Sequence, residues 1–555
     1  MVPVRGPLGP AWLGQAVKLG IQSWAMRQGW IRRTRAVGIL AALVGCSNPG
    51  VLQLGEGGDA SGLQSSTSQT SGGETDAGLT TMGSTGMEPP VPGARCWSVP
   101  AEAPVFVVAE GGADETGQGT PMSPWGTLSY AVTQVPDGSV INVGPGEYMG
   151  AQELVGEFDL GITVRAVPAY QARLRHSGPV VTLARAQGIT LEGFDIAHAG
   201  EGAERFVVHV RDDFGAVGGD TFSTRIVLRD NIIHDSFNDD LLRIDSGTAG
   251  ITVEGNVFYN QGVNNEHVDV NAASDVVVRG NIFFNDFAAS GRVNTRDTGS
   301  FVAIKDANGA DDEVAGASSI DIDGNIFMGW QGTVATNFVQ VAENGYAFYE
   351  ARDVLVQNNL MLGDGGDEMR APFGCKGAMN VVVRNNTVVG NIPASAFAFR
   401  LNVEGQSPPN DGISFFNNVW SAPDGTMTDL TDTEVSSPLE NFTLATNVYW
   451  NGDQPIPHDG ADAINLDVDT NAIVADPRIA SLPMTNPVWD PDGEQFGGGA
   501  TTLCEAFEDL VTRHGVPAPD GAAAGSALAS ELPTRDILGR NRLTADVGAV
   551  AIAQP

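Results

Sequence analysis

Basic residues are scarce in this chain: 30 Lys and Arg stand against 67 Asp and Glu, for a net charge of −37 over 555 residues. That argues against nucleic acid as a partner, because a binder of polyphosphate needs a basic footprint. It also disfavours an acidic polysaccharide met without help, unless a bound divalent cation reverses the field locally. Cysteine is scarce as well, with four in all. No apolar run is long enough to span a membrane. Hairpin turns such as Asn-Gly between strands are also few, which disfavours an antiparallel sandwich.

Abundant, by contrast, is one short phrase, apolar-x-apolar-x-Gly/Asn-Asn-apolar. It reads Ile226-Val-Leu-Arg-Asp-Asn231, Ile251-Thr-Val-Glu-Gly-Asn256, Val276-Val-Val-Arg-Gly-Asn281, Ile320-Asp-Ile-Asp-Gly-Asn325, Val354-Leu-Val-Gln-Asn-Asn359 and Val381-Val-Val-Arg-Asn-Asn386, with weaker copies at Asn418 and Asn447. The first two steps are 25 residues each and the next is 44, so loops of variable length leave a regular column. Short β-branched strands at this period predict parallel coils stacked about 4.8 Å apart. A single coil cannot bury its inner face, and stacking joins those faces into one core. The repeated Asn is expected to serve twice, tolerating the left-handed backbone of a tight corner and bonding to the same amide one rung above and below. The predicted fold class is therefore all-β, a parallel β-helix from roughly Val140 to Val448.

Upstream, Arg27, Arg32, Arg33 and Arg35 precede an apolar run from Ala36 to Val44, followed by Gly45-Cys46-Ser47. This pattern resembles the bacterial lipoprotein signal, with an apolar stretch too short to span. The resemblance implies Cys46 as the lipidated residue, a signal starting near Met26, and an outer-membrane or cell-surface address with the lipid anchor as the only membrane contact. From Ser47 to about Gly93 the chain is Ser, Thr and Gly with few large apolar residues, a flexible tether. Residues 1–45 read as the signal segment, 46–95 as the tether, 96–480 as the β-helix with an N-terminal cap, and 481–555 as a C-terminal closing segment. A monomer is expected. Cys375 falls at an inward strand position, as a buried thiol. Export permits a Cys96–Cys504 bridge, but the ends of the column stand about 50 Å apart, so the bridge requires the C-terminal segment to fold back.

Both ends of an open coil need caps. Thr127-Leu128-Ser-Tyr-Ala131-Val132 places apolar residues at helical spacing behind a Thr cap. Thr502-Leu503-Cys504-Glu505 is a capping box opening a helix to His514, with Gly515 as its stop. Around these caps Pro124-Trp125-Gly126-Thr127-Leu128, Pro136-Asp137-Gly138-Ser139-Val140-Ile141-Asn142-Val143, Gly144-Pro145-Gly146-Glu147-Tyr148, Gly525-Ser526-Ala527-Leu528, Asp536-Ile-Leu-Gly539-Arg540 and Asp546-Val547-Gly548-Ala549 resemble exported bacterial right-handed β-helix proteins of the pectin-lyase-like superfamily. The resemblance covers the chain from about Val105 onward and implies the architecture more strongly than any activity.

Successive rungs align as Leu241-Leu-Arg-Ile-Asp245, His267-Val-Asp-Val-Asn271, Phe301-Val-Ala-Ile-Lys305, Phe338-Val-Gln-Val-Ala342 and Pro372-Phe-Gly-Cys-Lys376. Alternation sends Leu242, Ile244, Val268, Val270, Val302, Ile304, Val339 and Val341 inward. One outward column then holds His209, Arg243, Asp269, Ala303 and Gln340; its neighbour holds Arg211, Asp245, Asn271, Lys305, Ala342 and Lys376. Asp239, Asp240 and Glu266 stand beside them, and Phe301 and Phe338 are expected to stack on the outside. Asp239, Asp240, Glu266, His267, Asp269 and Lys305 are thus expected on one exposed face.

A likeness to β-helix polysaccharide lyases implies proton abstraction next to a uronic carboxylate. It implies Ca²⁺ on the oxygens of Asp239, Asp240, Glu266 and Asp269, and Lys305 as a base once desolvation lowers its pKa. Arg243 or Arg400 would hold the sugar acid, and His267 is a further catalytic candidate. Asp239-Asp240-Leu-Leu-Arg-Ile-Asp-Ser246-Gly247 also resembles the paired-Asp strand of polygalacturonase-type hydrolases. No Asn-Thr-Asp precedes it, however, and Asn265-Glu266-His267 replaces Gly-His-Gly, so hydrolysis is the lesser alternative. Another reading is a non-catalytic carbohydrate-binding or structural cell-surface protein. In that case Arg243 beside Asp269, and Arg211 beside Asp245, form only a charge ladder.

Overall fold

The computed structural model describes residues 103–212, 222–309, 314–433 and 439–552. Cys46, Cys96 and the signal and tether segments lie outside the described residues. Each repeat contributes strands to three parallel ladders. The first runs through Val208–Arg211, Leu242–Ile244, Val268–Asn271, Val302–Lys305, Asn337–Val341, Ala371–Lys376, Phe399–Asn402 and Thr431–Thr433. The second carries the repeat phrase itself, from Thr224–Arg229 through Ala249–Glu254 and Ser274–Arg279 to Asn410–Phe416. The third is built from the short strands just after each Asn, from Ile232–His234 to Val448–Trp450. Among the described residues the one antiparallel strand pair is Trp489–Asp490 with Gln495–Phe496. This is a right-handed parallel β-helix. It extends past the predicted bounds, since Val105–Val108 pairs with Val140–Val143 and Val448–Tyr449 pairs with Ile473–Val474.

The interior obeys the alternation. Leu228, Val253, Val278, Ile322, Val356, Val383 and Phe415 stand in register and are buried. Across from them Phe258, Phe283 and Phe327 stack at centroid spacings of 5.1 and 5.0 Å. Each such ring removes apolar surface worth about 1.5–3 kcal/mol. Cys375 is buried, and burial pushes its thiol up to about 12.

The Asn column is realised. Asn231 donates from Nδ2 to Asn256 Oδ1 at 3.0 Å, Asn256 to Asn281 at 3.0 Å, and so on through Asn325, Asn359, Asn386 and Asn418 to Asn447. Each Oδ1 also accepts the backbone N–H of the preceding Asn, so the buried amides are satisfied. At the far end Asn447 and Tyr449 both donate to Asp469 Oδ2, at 2.7 and 2.6 Å, and the carboxylate ends the series. One expectation is corrected: the left-handed backbone belongs to the residue before each ladder Asn. Asp230 (φ 54), Gly255 (φ 64), Gly280 (φ 64), Gly324 (φ 63) and Asn358 (φ 55) make the corner. The ladder Asn is then free to aim its amide along the axis.

The helix α1 (Leu128–Gln134) begins as predicted, with Thr127 Oγ1 accepting from Tyr130 N, and it buries Leu128, Ala131 and Val132 in the core. The helix α2 (Leu503–His514) is capped by Thr502 and ends at Gly515. Its Glu505 N–H donates to Thr502 Oγ1, and its carboxylate accepts from Thr501. The C-terminal segment 481–555 has its place along the third ladder. Ile464, with Ile456, Leu466 and Ala472, covers the end of the core, while the C-terminal segment lies along the outside of the third ladder. There Leu503, Ala506, Phe507, Leu510 and Val511 pack with Ile232, Val257, Ile282, Ile326 and Leu360. Trp489 and Phe496 reach Tyr170, near the start of the column, at 5.0 and 5.5 Å. The chain has therefore folded back along the column.

Candidate functional site

The inward residues of the first ladder, Leu242 to Val341, are all buried, and the outward register is Arg243 beside His209 and Asp269, Asp269 beside Ala303, Ala303 beside Gln340, and Asn271 beside Lys305. The first column read from the sequence is that of the structure; the second holds at Asn271 and Lys305, but Ala342 turns into the core and Asp245 pairs with His209 and Arg243 rather than with Arg211. Asp240 stands in the turn before Leu242–Ile244 and Glu266 in the turn before Val268–Asn271. One carboxylate oxygen from each of Asp240, Glu266 and Asp269 lies within 4.8 Å of the others. Arg243 Nη1 contacts Asp269 Oδ2 and stands 3.6 Å from Asp240 Oδ2, while its Nε donates to Asp245 Oδ1 at 3.2 Å. Lys305 Nζ is 3.1 Å from Glu266 Oε1, 3.7 Å from Asp269 Oδ2 and 3.1 Å from Glu343 Oε2.

The face is not exposed as expected. Asp240, Glu266 and Asp269 retain 1%, 5% and 0% of their accessible surface, because the long side chains of Arg243 and Lys305 pair with them and the turns enclose the rest. Asp239 is half-buried and accepts the Asp240 N–H at 3.1 Å; it stands beside the three converging carboxylates rather than among them. His267 does not belong to this face at all. Its ring lies inside the coil, 4.2 Å from Phe301 and 6.0 Å from Phe283, with Nε2 at 3.0 Å from Asn285 Oδ1 and Nδ1 without a partner. Phe301 and Phe338 are interior too, so they offer no outer stacking platform. At this corner two consecutive residues face inward, which strict alternation misses. Arg400 is separate as well, held by Asp432 at 2.9 Å and Asn402 at 2.6 Å.

The electrostatics derive from burial. Burial, followed by Glu266 and Asp269, pushes the Asp240 carboxyl well above the usual range. Burial also raises Glu266 to about 7, with Lys305 opposing and Asp269 adding to the rise. Lys305 is the reverse of the expected base. Burial alone would lower it, but Asp269, Glu266, Glu343 and Asp240 outweigh burial and hold its ammonium well above the ordinary lysine range. Arg243 is likewise held charged by Asp269, Asp245 and Asp240 against the effect of burial. Asp245 is kept ionised despite burial by His209, at 3.0 Å, and by Arg243 and Asn271. His267 is pushed by burial down to about 3 and stays neutral.

Two features escaped the sequence. Glu343 enters from the loop after Asn337–Val341, outside any strand column, and one buried oxygen, Asp269 Oδ1, has no hydrogen-bond partner. Three converging carboxylates and that orphaned oxygen suit a hard cation. Oxygens sharing one Ca²⁺ at 2.3–2.6 Å lie at most about 5 Å apart, so the donor set and its spacing fit calcium.

No family model matches the chain and no curated protein matches it. Among solved structures, a pectate lyase aligns with a TM-score of 0.45 at 12% identity, over 82% of this chain and 97% of its own. XylC in complex with xylose aligns with a TM-score of 0.43 at 11% identity, over 81% and 98%. The A-module of the Azotobacter vinelandii mannuronan C-5 epimerase AlgE4 gives 0.35 at 16% identity, over 60% and 91%. At these identities no residue role carries over. The class defined by the chain's own geometry is a right-handed parallel β-helix protein with a buried acidic cluster on the outer side of its first ladder.

Proposed function

We propose that this chain is a polysaccharide lyase that cleaves a uronic-acid polymer by β-elimination at the first ladder, with Ca²⁺ held by Asp240, Glu266 and Asp269 and Asp239 at the rim. The observation that carries the reading is the convergence of three carboxylates within 4.8 Å, one oxygen of them unpartnered, in direct contact with Lys305 and Arg243. When bound, the ion would neutralise the substrate carboxylate and reverse the negative field that now holds Lys305 protonated. Neutral Lys305 then takes the proton beside the uronate carboxylate. The electron pair of that C–H bond forms the new carbon–carbon double bond, the glycosidic bond breaks, and the leaving oxygen takes a proton from water. Arg243, which competes for the same carboxylates, would turn to the sugar acid as a bidentate partner.

The test is absorbance of the unsaturated product over a panel of uronate polymers with and without Ca²⁺. The reading requires product with Ca²⁺, none with chelator and none from Lys305→Ala; absence of product from every polymer overturns it. A hydrolase is disfavoured by the sequence, since no Asn-Thr-Asp precedes Asp239-Asp240 and Asn265-Glu266-His267 stands in place of Gly-His-Gly, and by the His267 ring lying inside the coil. A non-catalytic carbohydrate-binding or structural protein is the second reading, favoured by the closed pairing of Arg243 and Lys305 with buried carboxylates. The proposal extends to a cell-surface address through lipidated Cys46. Cys46→Ala should release an unprocessed or soluble product, and normal processing with continued membrane recovery would contradict the anchor.

A further inference from the structure

Lys305 has three carboxylate partners, and they differ. Two of them, Glu266 and Asp269, belong to the acidic cluster, and their side chains keep 7% and 1% exposure. Glu343, at 3.1 Å, keeps 26% and belongs to a different rung and loop. That loop is held firmly. Four successive N–H groups, from Glu343, Asn344, Gly345 and Tyr346, donate to the Glu350 carboxylate at 3.2, 2.9, 2.6 and 3.2 Å. Glu350 itself is fully buried. The turn also demands a left-handed residue at Gly345 (φ 80), where a Cβ would stand 3.0 Å from Gly405 Cα. A fully buried acid thus spends its acceptors on the backbone of a loop whose first side chain reaches Lys305.

We infer that Glu343 is a positioning residue for Lys305, the contact that holds its amine over the outer face when Glu266 and Asp269 serve the cation. This rests on the lyase reading above. In that reading the cluster carboxylates face the ion, so they no longer fix the lysine, and the remaining contact comes from the pinned loop. Preorganisation of this kind acts on the reacting geometry rather than on substrate affinity.

The experiment uses the full chain, Ca²⁺ and the polymer the wild type cleaves best, with Glu343→Ala and Glu343→Gln compared for kcat, KM, melting temperature and calorimetric Ca²⁺ affinity. The expected result is a drop in kcat of about 10- to 100-fold for Glu343→Ala, with KM, melting temperature and Ca²⁺ affinity unchanged. Glu343→Gln, which keeps an oxygen acceptor, should recover most of the loss. Wild-type kcat in Glu343→Ala would overturn the inference alone, as would a loss that tracks the melting temperature and is not recovered by Gln. A wild type that cleaves no polymer overturns the lyase reading, and this inference falls with it.

Discussion

The outer sides of the first and third ladders are built on the same backbone and the same rung spacing, and they have opposite chemistry. Along the third, Ile232, Val257, Ile282, Ile326, Leu360, Thr387, Val419 and Val448 face outward in one column, apolar at every position but Thr387, and the returning C-terminal segment covers them. Along the first, the matching column is His209, Arg243, Asp269, Ala303, Gln340, Gly374 and Arg400. Its charged members meet carboxylates and amides instead of an apolar cover. An apolar face is completed by burial under more chain, whereas a charged one is completed by partners of opposite sign. Asp240, Glu266 and Asp269 outnumber Arg243 and Lys305 beside them, and burial raises Asp240 and Glu266 out of the usual carboxylate range.

The largest expected effect is on the covered side. Phe496→Ala removes a fully buried ring that touches Tyr170 and Trp489, and urea unfolding should show a loss of about 3–5 kcal/mol. A change below about 1 kcal/mol would mean that the returning segment is not an integral part of the fold. Next comes the corner between the second and third ladders. Asn281→Ala leaves Asn256 Nδ2 and the Asn256 N–H without their acceptor, at about 1–3 kcal/mol per unpaired donor. A change to Ala at Asp424, an exposed turn position, should cost under about 0.5 kcal/mol.

A smaller effect is set by pH. Burial pushes Asp230 up to about 7, although the Tyr170 hydroxyl donates to it at 2.7 Å. Between its ordinary value and about 7 the folded protein holds a proton that the unfolded chain releases, so this group's contribution to stability falls as pH rises through that window. Melting curves of Asp230→Asn should lose that part of the slope; an unchanged slope would contradict the assignment. The smallest effect belongs to the solvent side of α2. Arg513 pairs with Asp509 at 2.7 Å with both side chains about half exposed, and Arg513→Ala should change stability by less than about 0.5 kcal/mol.

The contrast between the two sides also explains how much the sequence disclosed. The Asn phrase gave the stacking, the order of rungs and the register of the first ladder, because period and alternation are backbone properties. The same alternation failed at His267, Phe301 and Phe338, where a corner turns two neighbouring residues inward. For the C-terminal segment the apolar helix face marked burial without saying that the third ladder is what it covers. Within the site, Asp240, Glu266, Asp269, Arg243 and Lys305 were legible as neighbours. The protonation of Lys305 was not, since it depends on how closely Asp269 and Glu266 approach the amine, with Glu343 adding from a loop that has no periodic signal.

The most direct test is calorimetric titration of Ca²⁺ into the protein, with Asp240→Asn/Asp269→Asn measured beside it. The account predicts saturable binding to the wild type with one ion per chain and loss of that heat in the double variant, which stays folded because each amide keeps the shape of its carboxyl. Equal heats in the two proteins, or none in either, would contradict it and leave the carboxylates as partners of Arg243 and Lys305 alone.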